Sequence, residues 1–195
     1  MTKSGGSQES ASQGPIERFV DQLRELDRGD LAAFRRNAGN TIGQSRNAMS
    51  LFYRIFPREQ ADSRDEEIYF LVATLFPLNR GELEGNFGVT MRAVKAARKG
   101  SEAVDRRMGI LLDSEFDRAD NFRYGGGEMA YRLRQCVKLA DSNDVGVDWE
   151  QLLEDLVWWS HPLRRVRKRW ARSYFGEPRE TKSDVKSDVA EGGDH

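Results

Sequence analysis

Apolar residues recur along this chain at three- and four-residue spacing in one segment after another, the mark of amphipathic helices rather than strands. The clearest stretch is 163–175, LRRVRKRWARSYF, where Leu163, Val166, Trp170 and Tyr174 line up as one apolar stripe. Met129, Leu133, Cys136, Val137 and Ala140 make a similar stripe over 127–141, and Val104, Met108, Leu111 and Leu112 another over 101–114. The same periodicity predicts helices over 16–27, 30–37, 45–56, 65–76, 90–99 and 149–159. β-branched residues rarely alternate, and only five isoleucines and five threonines occur in 195 residues, so strands lack support. The expectation is an all-α protein of eight to nine helices.

Punctuation agrees with that reading. Pro15, Pro57, Pro77, Pro162 and Pro178 all sit at the edges of periodic segments, where a missing N–H costs least. Asp30, Ser101 and Asp148 are placed to cap helix starts, and Gln151, three residues after Asp148, completes the outline of a capping box. The polar, Gly-rich segment PLNRGELEGNFG, 77–88, reads as the loop between an N-terminal helical lobe, 15–88, and a C-terminal one, 89–176, giving a two-lobed helical bundle. Residues 1–14 and 177–195 carry too few apolar side chains to offset the entropy of ordering them and read as disordered tails. No internal repeat is present.

Charge alters the picture. The formal net charge is -1, but residues 177–195 hold six acidic residues against Arg179, Lys182 and Lys186, leaving 27 basic against 25 acidic residues in 15–176. The cations are mostly arginine, 24 against 7 lysines, which suits bidentate phosphate contacts and stacking on bases, although a GC-rich genome gives the same bias. Their placement is more telling than their number. In 163–175, Arg164, Arg165, Lys168, Arg169 and Arg172 fall opposite the apolar stripe, Arg167 flanks it, and no acidic residue intervenes. Solvated helices ordinarily mix charges to gain i,i+4 pairs, so a one-signed face asks for something negative to answer it. Phosphates would do so; so would glutamates of a neighbouring helix, such as Glu150 and Glu154, inside the protein or across an interface. Over 127–141 the outward cations are Arg134 and Lys138 with Arg132 at the border; over 101–114 they are Arg106 and Arg107; Arg35 and Arg36 add a further exposed pair.

Most aromatic residues are spoken for by packing. Trp149, Trp159, Trp170, Phe19, Phe52 and Phe70 lie on apolar stripes and are expected in the core, whereas Trp158 lies off its stripe and is free to meet a partner or the other lobe. One cysteine, Cys136, forms no intramolecular disulfide and reads as a small core residue of a reducing compartment. No run of 18 apolar residues and no apolar stretch near the start suggest a membrane span or secretion signal, so a cytoplasmic, membrane-free protein is expected.

Enzyme chemistry finds few parts. His161 and His195 are the sole histidines, the former before Pro162 at a helix start, where a capping or surface role is the ordinary one. The cysteine and histidine counts exclude the usual zinc sites, and no cofactor or metal is expected. Gly125, Gly126 and Gly127 lack the GK[ST] that follows in nucleotide-binding loops, and no carboxylate pair stands out as a general acid and base. A non-catalytic polyanion binder is the reading; a pure protein-interaction scaffold and a helix-turn-helix regulator are its rivals.

Over roughly 16–176 the chain resembles the CasB family, the small subunit of the type I-E CRISPR surveillance complex called Cascade. The resemblance is carried by GSEAVDRRMGILLDS, YRLRQCVKLA, VDWEQLLEDLVWW and the V-x-x-x-W-A-R-x-Y ending, with GDLAAFRRNAG, FYRIFP and SRDEEIYFLVATLF in the expected order before them. It implies a two-lobed helical protein without chemistry of its own, present as a pair beside guide RNA, target DNA and the other Cascade subunits. It further implies that the basic surface steadies the guide–target hybrid and the displaced strand, with Arg35, Arg36, Arg64, Arg106, Arg107 and Arg134 at matching positions and Arg164 and Arg165 matching less closely. Gln135, where a second arginine often follows, and Asp113, where relatives can be basic, depart from the pattern. Such a role needs no base code, because phosphate contacts fix position while pairing with the guide reads sequence.

Overall fold

Pro15 opens the first helix, and side-chain oxygens of Asp27, Asn86 and Asp148 accept from the first amides of the helices that follow them. The computed structural model describes residues 13–60, 65–116 and 127–176, so most of the first expected tail, all of the second, Arg64, Gly125 and Gly126 lie outside the described residues. Among these the elements are α1 (Pro15–Glu25), α2 (Arg28–Arg36), α3 (Arg46–Ile55), α4 (Glu66–Leu75), α5 (Phe87–Ala97), α6 (Glu102–Asp113), α7 (Gly127–Asp141), α8 (Trp149–Val157) and α9 (Arg165–Phe175), with short 3₁₀ turns at Ile42–Gln44, Arg58–Gln60 and Phe76–Leu78. The all-α class is as the periodicity predicts.

The caps differ in detail from the sequence reading. Asp27, not Asp30, closes the start of α2, accepting from the amides of Gly29 at 2.7 Å and Asp30 at 2.9 Å, and Asp30 sits inside the first turn. Ser101 occupies the cap position of α6 without a side-chain bond. Asp148 does cap α8, accepting from Gln151 N at 2.9 Å, but the Gln151 side chain turns to Glu154 and Asp155 instead of returning to the Asp148 amide.

α4 is the axis of the fold. Ile68 to Leu75 are all buried, so this helix shows no polar face and is surrounded, with α2 on one side and α7 and α8 on others. Phe19, Phe52, Phe70 and Tyr69 meet edge to face around it, Phe52 and Phe70 with centroids 5.2 Å apart. A second aromatic group, Phe87, Trp159 and Trp170, fills the space under α5 and α9, with Trp159 and Trp170 4.9 Å apart. α5 and α9 make the most extensive helix pairing among the described residues. The seam depends on Gly88, where a Cβ would stand 2.3 Å from the Trp170 carbonyl oxygen.

The loop expected over 77–88 is shorter, 79–86, because Phe76–Leu78 form a 3₁₀ turn and α5 already begins at Phe87, and it is tied down at many points. Val147 N donates to Gly81 O at 3.0 Å, Asn79 Nδ2 to Val145 O at 2.8 Å, the Trp149 indole to Asn79 O at 3.1 Å, and Gly85 N to Asp148 at 3.1 Å. Buried residues from both halves form one continuous apolar cluster, including Phe19, Phe70, Met91, Leu133, Trp149 and Trp170.

Candidate nucleic-acid interface

α7 is the spine of the basic surface. Its buried edge, Met129, Ala130, Leu133, Cys136, Val137 and Ala140, is the one that the apolar stripe defines, and Tyr131, Gln135 and Lys138 are left exposed. α6 packs beside it with Val104, Met108 and Leu111 inward and Arg106 and Arg107 outward. Between the two helices lies an open cleft of about 240 Å³ lined by Arg107, Ile110, Tyr131, Arg132, Gln135 and Cys136. The guanidinium of Arg132 lies over the exposed Tyr131 ring, 5.5 Å from its centroid, and also takes Glu128 of its own helix at 3.1 Å. Burial pushes the Cys136 thiol up to about 12, against the opposing pull of Arg107 and Arg132, so Cys136 is an inert packing residue at the cleft floor.

On the other flank α7 meets the end of α2. Arg35 and Arg36 occupy the last turn of α2, where cations complement the helix dipole, and both are exposed. The chain then turns through Gly39, whose φ of +84° falls in the left-handed region that favours glycine. Arg134 lies against this turn: a Cβ on Gly39 would stand 3.4 Å from Arg134 Cδ. Arg134 is therefore half-buried rather than fully outward, with its Nε enclosed and without a hydrogen-bond partner among the described residues. This contact sets α7 against the turn that follows α2, although about a hundred positions part them in sequence.

α9 carries a separate row, and here the structure corrects the sequence reading twice. The helix starts at Arg165, because Arg164 adopts a left-handed conformation with φ 49°, so Leu163 is outside the helix and exposed instead of packed on the stripe. Carboxylates do answer part of the face, but they come from Glu115 and Asp155, not from Glu150 or Glu154; Glu150 pairs with Arg24 instead. Arg167 is buried, donates from Nη2 to Glu115 and stacks 4.8 Å over the Trp159 ring. Arg164 approaches Glu115 at 3.8 Å, and Arg169 bonds the fully buried Asp155, which also accepts from the Trp170 indole. Arg165, Lys168 and Arg172 remain exposed.

The candidate cations thus divide. Arg132, Arg164 and Arg169 are held by carboxylates, whereas Arg35, Arg36, Arg106, Arg107, Lys138, Arg165 and Lys168 are exposed and have no ion pair among the described residues. Pattern reading overlooked the stacking partner Tyr131 and the seat at Gly39; Tyr131 could have been picked out as the aromatic lying between the buried positions of α7. The core tryptophans and Cys136 are where the stripes put them, Trp158 is 58% exposed, and His161 Nδ1 accepts from Leu163 N in the turn before α9, a local bond that caps no helix. No described helix is long and apolar enough to cross a membrane.

Fold and surface together define a small all-helical protein with an arginine-rich face. The family model for CRISPR-associated protein Cse2 matches residues 30–175, and the chain belongs to that family. It is 33% identical over 168 residues to the CRISPR-associated protein Cse2 of Thermus thermophilus, covering 83% of this chain and 90% of the relative. The crystal structure of M. ruber CasB superposes with a TM-score of 0.65 at 26% identity, covering 83% of this chain and 93% of that one. A chain of a CRISPR RNA-guided surveillance complex shares the fold, with a TM-score of 0.65 at 21% identity over 82% of this chain and 91% of its own.

Proposed function

We propose that this chain is the non-catalytic small subunit of a type I-E Cascade complex, and that it steadies guide RNA, target DNA and the displaced strand through phosphate contacts in antiviral defence. The observation that carries the proposal is the surface centred on α7, where Arg106 and Arg107 of α6, Lys138 of α7 and Arg35 and Arg36 of α2 stand exposed without a carboxylate partner among the described residues. Like charges gathered on one surface repel unless a polyanion answers them, and a nucleic-acid backbone does so without any sequence code. In this reading 15–88 and 89–176 are the two lobes, Arg134 bridges them, and partners include a second copy of the chain and the other Cascade subunits. Membership in the Cse2 family and the shared fold of the surveillance-complex chain support the assignment.

The test is reconstitution. Replacing Arg35, Arg36, Arg106, Arg107 and Arg134 by alanine is expected to weaken capture of target DNA by the assembled complex while the helical circular-dichroism signal stays intact. Unchanged capture would refute the assigned surface and favour a scaffold that touches only protein.

A further inference from the structure

A second cleft, of about 500 Å³, opens where the chain passes from α8 into α9, lined by Glu115, Phe116, Ser160, His161, Pro162, Arg164 and Arg167. It lies at the N-terminus of an 11-residue helix that has no side-chain cap and no acidic residue in its first turn. The unpaired amides of that turn are a ready anion site, and the helix dipole adds positive potential there. Arg167 reinforces it. Only 5% exposed, it gives Nη2 to Glu115 but leaves Nε and Nη1 enclosed without a hydrogen-bond partner among the described residues. Buried donors are rarely left so, since each carries its full desolvation penalty. The Trp159 ring beneath the guanidinium plane fixes its orientation but does not satisfy donors that point outward within that plane. Arg164, 61% exposed at the cap position, brings a second guanidinium to the rim. Glu115 is the opposing charge, itself 54% exposed, so the two arginines and the helix end outweigh it.

We propose that this cleft is a phosphate-binding site, formed by the first turn of α9, Arg167 and Arg164, and distinct from the surface on α7. A tetrahedral oxyanion has the acceptors to meet helix amides and an unpartnered guanidinium donor of Arg167 together. Its source is either a free phosphate or a phosphodiester group, which present the same chemistry.

Amide and indole resonances of the full chain, followed by two-dimensional NMR, test this. Titration with inorganic phosphate, and separately with a thymidine dinucleotide, is expected to shift the amides of Arg165 to Arg167 and the Trp159 indole in a saturable way, with sodium chloride at matched ionic strength leaving them in place. Saturation by phosphate alone assigns a free ligand, and saturation by the dinucleotide assigns a diester; either supports the site. Arg167→Gln is expected to abolish the shifts. Because Arg167 is buried, two exposed substitutions guard against a mere folding defect: Glu115→Gln should tighten binding and Arg164→Gln weaken it, each by roughly two- to fivefold, the size of a partly exposed charge pair. Shifts that chloride reproduces, or affinities unmoved by both exposed substitutions, would overturn the proposal.

Discussion

Asp155 sits fully buried beneath α9, holding the Trp170 indole and Arg169 at once. Removing the carboxylate by Asp155→Ala strands an indole N–H and loosens the one arginine that it neutralises, so the substitution should cost about 3 kcal/mol in chemical denaturation. Glu128→Ala, which breaks an exposed i,i+4 pair with Arg132, should cost less than about 0.5 kcal/mol in the same assay. Asp105 supplies a pH signature. Hydrogen bonds from Lys95 and Tyr174 hold its carboxyl below the ordinary 3.8. A depressed pKa gives stability that is present above the unfolded value and lost as pH falls through the folded one. The wild type should therefore lose stability relative to Asp105→Asn as pH drops below about 4, and parallel acid-denaturation curves would contradict this. Sequence periodicity could say that the arginines of α9 need an answer but not which carboxylate supplies it. Glu115 is 52 positions from Arg167 and Asp155 14 from Arg169, and only the packed arrangement brings them together.

Helices were legible almost throughout, because each must bury a stripe at 3.6-residue spacing whatever it packs against. What escaped was decided by backbone conformation at single residues. Arg164 in the left-handed region starts α9 two positions late and releases Leu163, and Asp27 takes the capping role one turn before Asp30. The outward arginines of α7 were visible one by one, but the contact of Arg134 with the Gly39 turn after α2 has no pattern in sequence. Two predictions belong at this scale. Gly88→Ala pushes a methyl into the Trp170 carbonyl and should destabilise by about 2 kcal/mol or more, read as a lower melting temperature. Neutralising the exposed row of α9, by Arg165→Gln, Lys168→Gln and Arg172→Gln together, should leave the melting temperature within experimental error; a fall would mean that the row is structural.

One apolar cluster runs from α1 to α9, and the 79–86 loop is bonded to the entry of α8, so the two halves share a core. Heating should give a single transition, with far-ultraviolet circular dichroism and tryptophan fluorescence coincident. On that rigid frame the exposed cations of α2, α6 and α7 keep fixed positions, and their grip on a polyanion should follow counterion release, weak and sequence-blind for the isolated protein. The most direct test is fluorescence anisotropy with two unrelated single-stranded oligonucleotides across a salt series. Both should bind alike and lose affinity linearly in log–log form, the slope shrinking by about 0.7 for each phosphate contact removed when Arg35, Arg36, Arg106 and Arg107 become alanine. A slope and affinity unchanged by those substitutions would contradict the account.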